Sequence, residues 1–207
     1  MIEFLPVIIL VFSFLILLVL GVPVAWCIAM SSMFTLMAAM PFSAATTTVS
    51  QRIATGLDSF ALLAIPFFIL SGQIMSKGGI ADRLISFAKT LVGFLPGGLA
   101  LINIVSAMLM GAIAGSAMAS ASAMGTILGP EMEKEGYSKE FGAAVNITSS
   151  TTGLVIPPSN TLIVYSLASG GVSIAALFLA GYIPGILTGL FMMIVAMIWA
   201  KKNNYPV

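Results

Sequence analysis

The sequence predicts an all-α, multi-pass membrane protein, and three observations predict it. Hydrophobic residues make up 59% of the 207 residues and charged ones 7%. A soluble domain carries about 25% charged residues, because its surface has to be wetted. The mean hydropathy is +1.13. Finally, the apolar residues fall into runs long enough for membrane helices, broken mainly at glycine and proline. A lipid bilayer is the solvent such a chain fits.

A helix needs roughly 20 apolar residues to cross the ~30 Å hydrocarbon core. Ile2–Leu20 and Val22–Met40 meet this, joined by a tight turn at Gly21–Pro23. The opening run lacks the basic start and small-residue finish of a cleaved signal peptide, so it reads as a retained helix. From Pro41 to Ser59 the chain is polar and rich in threonine, which predicts a loop or an interfacial helix. Residues 1–59 thus form a first part of two transmembrane helices and an interfacial segment. Residues 60–95 follow, with a third apolar run at Phe60–Met75 and a charged connector.

Residues 96–168 hold two unusual stretches. Pro96 to Pro130 contains no charged residue. As one helix it would be ~50 Å long, and as two helices broken near Ala114–Gly115 each arm would be ~24 Å, short for a crossing. A re-entrant hairpin resolves the conflict; two short spans with an external turn are the alternative. Each arm has glycines four apart, Gly111–Gly115 and Gly125–Gly129, a spacing that lets helix backbones approach. The second stretch, Lys139 to Ala168, is interrupted by Gly153 and by Pro157–Pro158. Adjacent prolines remove two backbone donors and push the preceding residue out of helical geometry. Asn146 and the hydroxyls 148–152 lie before this break, and Ser159, Asn160 and Thr161 after it. Irregular backbone at membrane depth survives only where it is buried in protein or lines a cavity. Residues 169–207 add a last span, Ala175–Ala200, closed by Lys201 and Lys202.

Charge orients this map. With Phe60–Met75 running inward, Lys77, Arg83, Lys89, Lys134, Lys139, Lys201 and Lys202 lie in the cytoplasm. Arg52 alone of the eight basic residues does not. The four glutamates 131, 133, 135 and 140 read as a solvated loop with Lys134 and Lys139.

Composition excludes several chemistries. With no histidine and a single cysteine, Cys27, a zinc site or a histidine-based triad cannot be assembled. Net charge is +1, with no basic stripe for nucleic acid. A rhomboid-like protease needs a histidine partner for its serine, and an aspartyl protease needs paired aspartates within spans. Neither set is present, so no catalytic residue is assigned and no cofactor is expected. Asp58 and Asp82 flank the predicted spans, and proton relays usually use carboxylates within them. Sodium fits better, because hard cations favour hydroxyl and carbonyl oxygens, and broken helices expose such carbonyls. The candidate sodium ligands at these breaks are Gly115, Ser116, Ser120, Thr152, Gly153 and Pro157, with Thr151 beside them; Ile156 joins them only through the family resemblance given below. Ser116 and Ser120 are four apart and share a helical face, which Ser122 does not. Serine and threonine in membrane helices also commonly bond their own backbone, and Asn146 fits an interhelical hydrogen bond. Candidate substrate contacts are Ser59, Ser116, Pro158 and Ser159. Gly56, Asp58 and Ser59 fit equally an interfacial turn and cap. Met108, Met110 and Met118 read as packing or lipid-facing residues.

At these stretches the sequence resembles the large membrane subunit of tripartite ATP-independent periplasmic (TRAP) transporters. The resemblance is carried by LDSFALLAIPFFILSGQIM (Leu57–Met75), GGIADRL (Gly78–Leu84) and LPGGLA (Leu95–Ala100). It continues through GAIAGSA (Gly111–Ala117), EGYSKEF (Glu135–Phe141), IPPS (Ile156–Ser159) and SIAALFLAGYIPG (Ser173–Gly185). It implies one inverted-repeat half of an elevator-type, sodium-coupled transporter in the bacterial inner membrane. Its partners would be a small membrane subunit and a periplasmic substrate-binding protein. The cargo would be an organic acid: sialic acid, a C4-dicarboxylate or a sugar acid. Gly115, Ser116, Gly153, Ile156, Pro157 and Pro158 match the family's ion-site region. Ser120 departs from the family, where many members have an acidic residue. The family has two inverted repeats and this chain stops after one, which predicts the N-terminal half of a longer protein. A related sodium-coupled carboxylate carrier working without a binding protein is the alternative.

Overall fold

A computed structural model describes residues 4–206, apart from the side chains of residues 60 and 61. The described residues are helical, with no strand, and form two compact units, Met1–Phe60 and Ala61–Val207.

The first unit holds α1 (Leu5–Val19), α2 (Val24–Ala39) and α3 (Phe42–Leu57). Proline sets each start: one in the first turn of α1, Pro23 at the N-cap of α2 and Pro41 at that of α3. A proline there gives up an N–H that has no partner within the helix. The turn between α1 and α2 needs a positive φ, and Gly21 supplies it at 77°. Both helices are shorter than the ~20 residues expected of a span, with 15 and 16 residues. Residue 2, where the first run was expected to begin, lies outside the described residues. The polar segment after Pro41 is a helix rather than a loop. Within the unit Cys27 and Ser31 are buried, while α1 buries nothing and leaves Val19 87% exposed. Apolar surface on that scale calls for lipid or protein cover.

The second unit starts with α4 (Phe60–Lys77) and the amphipathic α5 (Ile80–Val92), which buries Ala81 and Ala88. Its core is α6 (Gly98–Ala114). Leu101, Ile104 and Met110 of α6 pack with Met124 and Leu128 of α7 (Ala117–Lys134). α8 (Lys139–Ser150) runs into a 3₁₀ turn, Thr151–Leu154, then an irregular stretch and α9 (Asn160–Ala168). α10 (Ile174–Lys202) spans 29 residues and, among the described residues, is the one helix long and apolar enough by itself to cross a membrane.

Two expectations need correction. Glu131, Glu133 and Lys134 lie within the last turns of α7, and Lys139 and Glu140 open α8, so the loop is only residues 135–138. Pro130 does not end α7, because the residues after it are good helix formers. The paired glycines also do not bring the two hairpin arms together. A Cβ at Gly111 would lie 2.5 Å from Gly153 Cα, one at Gly125 2.7 Å from Asn146 Nδ2, and one at Gly129 would meet nothing. Three of the four glycines therefore serve the broken helix or stand open; Gly115 serves the turn.

One end of this unit gathers chain segments far apart in sequence. Gly97 N–H donates to Pro206 O at 3.2 Å, and the Tyr137 hydroxyl donates to the same carbonyl at 3.3 Å. Tyr137 and Tyr205 rings lie 4.4 Å apart, with Phe141 5.5 Å from Tyr205 and 6.4 Å from Trp199. Lys202 Nζ stands 5.8 Å over the Trp199 ring. Lys134, Lys139, Lys201 and Lys202 therefore cluster at this end.

Candidate functional site

α6 and α7 form an antiparallel hairpin. The Ser120 hydroxyl donates to Ala107 O at 2.9 Å, locking the arms near the turn. α6 stops because Gly115 adopts φ 60°, a left-handed conformation that costs glycine little. Ser116 then caps α7, its Oγ accepting from Ala119 N–H at 3.4 Å. Ser116 and Ser120 are thus a cap and a fully buried clamp, not two equivalent groups on one face; Ser122 is exposed.

The second break follows from the prolines. Pro157 has no N–H for the Gly153 carbonyl four residues back, nor Pro158 for that of Leu154. The Ser159 hydroxyl replaces the latter, donating to Leu154 O at 2.6 Å, and also caps α9 by accepting from Leu162 N–H. Most hydroxyls before the break bond their own helix. Thr152 donates to Ser149 O at 2.6 Å, Ser150 to Asn146 O at 2.7 Å and Thr151 to Thr148 O at 2.7 Å. Their protons are committed, and what remains toward the break is oxygen lone pairs and backbone carbonyls. The Gly153 carbonyl, without a helical partner, is among the latter.

The hairpin tip and this break meet. Gly111 lies backbone to backbone on Gly153, and a Cβ at Gly115 would come 3.2 Å from Asn160 Nδ2. Asn160 Oδ1 is buried and has no hydrogen-bond partner. Beside it opens a cavity of about 660 Å³, reached by Gly115, Ser116, Asn160 and Thr161, with Gln73 and Ser76 of α4 on another wall. Ile156 and Pro157 are buried behind it, against α10: a Cβ at Gly181 would lie 2.5 Å from Val155 O, and Gly185 faces the Ile156 side chain. Pro158 is half-buried. Ser59 belongs to the first unit, between α3 and α4, and is half-buried there. Sequence reasoning placed Asn160 after the break but gave it no role, and passed over Gln73. A carboxamide two residues after a proline pair in an apolar chain was the available signal.

Among the described residues no group of three or more histidines, cysteines, aspartates and glutamates is placed to hold a metal. The site offers neutral oxygens instead.

Comparison with known proteins gives this arrangement its family. The model of the tripartite ATP-independent periplasmic transporter DctM component matches residues 11–207. The chain is 57% identical over 202 residues to an uncharacterised protein, YgiK, of Salmonella typhimurium, covering 98% of this chain and 46% of that protein. It is 40% identical over 189 residues to the C4-dicarboxylate TRAP transporter large permease protein DctM of Vibrio cholerae, covering 91% and 41%. With the sialic acid TRAP transporter permease protein SiaT of Haemophilus influenzae it shares 36% over 194 residues, 93% of this chain and 31% of that one. The chain spans less than half the length of these relatives. A matched model over nearly the whole sequence identifies a family of membrane transporters, not of enzymes, and the chain belongs to it: the DctM component of the tripartite ATP-independent periplasmic transporters.

Proposed function

We propose that this chain is the N-terminal half of the large membrane subunit of a sodium-coupled importer of an organic acid in the bacterial inner membrane. The observation that carries the reading is the meeting of the two backbone breaks, where Gly115 packs on the Asn160 carboxamide, whose Oδ1 is buried without a partner. Neutral oxygens at broken helices suit a hard monovalent cation, and a buried acceptor without a donor leaves ~1–3 kcal/mol for a ligand to recover. The carbonyls of Gly115 and Gly153, the oxygens of Ser116, Ser120 and Thr152, and the backbone at Ile156 and Pro157 supply candidate ligands. Ser116, Pro158, Ser159 and Ser59 stand as candidate contacts for the organic acid.

Depth supports a re-entrant hairpin. The break lies at the level of Gly181 and Gly185 of α10, and α10 continues from there back to Ile174, ~10 Å further at 1.5 Å per residue. If α10 crosses the bilayer, the tip ends inside it. The hairpin and broken helix would then move as one body in an elevator cycle. A periplasmic binding protein would deliver the acid, and a small membrane subunit would brace the fixed part. Relatives named for C4-dicarboxylate and sialic acid support an organic acid as the substrate class.

The test is uptake by the full-length protein, reconstituted with its partners, against a sodium series, with a proton gradient as control. In Ser116→Ala the half-saturating sodium concentration should rise about tenfold, equivalent to ~1.4 kcal/mol. Ser122→Ala should change it little. Uptake that ignores sodium and follows the proton gradient would sink the coupling.

A further inference from the structure

Another cavity, between α6, α7 and α8, has a volume of about 200 Å³. Asn103 of α6 and Asn146 of α8 both line it. Asn103 is 1% exposed. The Oδ1 atoms of both asparagines are buried and have no hydrogen-bond partner. Their amide nitrogens are engaged elsewhere: Asn146 Nδ2 donates to Ala121 O at 2.8 Å, and Asn103 Nδ2 points to Met132 Sδ at 3.8 Å. Both carboxamides are therefore oriented with acceptors left over. At the mouth stands Glu133, with Lys139 at 3.4 Å. Both are substantially exposed, at 48% and 76%, so their pair is weak and screened and leaves the carboxylate free to attract a cation. Gly125, Gly129 and Gly142 form much of the remaining wall, which leaves space where side chains would otherwise fill it.

We propose that this cavity binds a monovalent cation, partly hydrated, between Asn103 Oδ1 and Asn146 Oδ1, with Glu133 at its entrance. The lining residues include two buried orphan acceptors and one charged donor, Lys139, which sits with Glu133 at the mouth, and each buried orphan oxygen favours a positive group. A hard cation takes about six oxygens. Two amide oxygens and several waters, at ~30 Å³ each, fit the volume. Asn103 is twelve residues before Gly115 on α6, ~18 Å along the helix, and Asn146 is seven before Gly153 (153 minus 146), ~10 Å, so this site is distinct from the breaks but shares the broken helix with them. It does not require the coupling ion to bind there, although both sites share the hairpin.

The experiment is cation-dependent thermal stability of the purified full-length protein in nanodiscs, with sodium, potassium or rubidium replacing choline at constant ionic strength. Wild type should show stabilisation that Asn146→Leu or Asn103→Leu weakens about tenfold in concentration. Asn146→Asp retains an oxygen and adds charge, so it should shift the midpoint about tenfold lower, which a variant that merely misfolds cannot do. Rubidium density between the two asparagines in a cryo-EM map would locate the ion. Overturning results are an unchanged cation response in both leucine variants with no tightening in Asn146→Asp, or density there that does not depend on the cation, which means water only. Loss of stabilisation in Ser116→Ala alone would leave the break site standing and remove this one.

Discussion

At the scale of single residues, hydroxyls in this protein are mostly closed to ligands by their own backbone. Clusters of serine and threonine beside a predicted break were legible in the sequence, but a sequence does not say where each proton goes. Ser120 spends its proton on Ala107 and Ser159 on Leu154, so these side chains shape the site before they touch anything in it. Ser120→Ala should destabilise the folded protein by ~1 kcal/mol through the lost interhelical hydrogen bond, read as a small drop in thermal midpoint. Gly153→Ala is harsher, because its Cβ would meet Gly111 Cα at 2.5 Å and backbone cannot step aside cheaply. We expect a loss of ~1–3 kcal/mol or more, and poor monodispersity by fluorescence-detected gel filtration. Tyr137 gives a pH prediction. Burial, aided by the charge of Glu135, pushes its phenol from 10.0 up to about 12. The folded state thus holds this proton more tightly than the unfolded state. The stability involved is fully present below about pH 10 and is lost as pH rises toward about 12, by up to ~2–3 kcal/mol. Thermal unfolding of wild type should fall more steeply between pH 9 and 11 than that of Tyr137→Phe; parallel curves would contradict the assignment.

Among elements, the discontinuities were the most legible. The turn at Gly115 and the break from Thr151 to Ser159 fall where glycine and paired prolines put them, because both act through local backbone geometry. Helix ends without such punctuation were less legible. Charge alone made the end of α7 look like a loop, yet glutamate and lysine propagate a helix well. Partner choice was hidden as well. Glycine spacing marks a close approach without naming what approaches, and here it is largely the broken helix. Hairpin depth is testable with cysteine chemistry. On a Cys27→Ala background, Ala114→Cys in a state-locked full-length protein should resist a bulky impermeant thiol reagent added outside resting cells. Rapid labelling would favour two spans with an external turn.

For the whole molecule, Lys134, Lys139, Lys201 and Lys202 cluster at one end, and the positive-inside rule, which depends only on charge and order, would set that end in the cytoplasm. Reporter fusions after Lys89, Lys139 and Lys202 should report cytoplasm, and one after Ser169 periplasm. A periplasmic signal at Lys89 would reverse the orientation. How α1 and α2 contribute was least legible, because their apolar faces show no periodicity and, Cys27 and Ser31 apart, are not buried. Such helices are read as membrane segments by composition, and composition carries no information about neighbours.

The knot of aromatic rings around Pro206 also sets a timetable for synthesis. The carbonyl that receives the Gly97 N–H is translated 109 residues after it (206 minus 97). At ~5–20 residues per second that is a delay of roughly 5–20 s. The hairpin and α8 are complete only at Ser150, 56 residues before Pro206 (206 minus 150), so for roughly 3–11 s of that delay they wait on the ribosome with their charged end unsealed, and Tyr137 and Phe141 lack Tyr205 to stack upon. Chains arrested just after Lys202 has left the ribosome should therefore be cut by a cytoplasmic protease at residues 135–138, and chains released past residue 206 should not. Equal cleavage of both would show that the end closes without its tail.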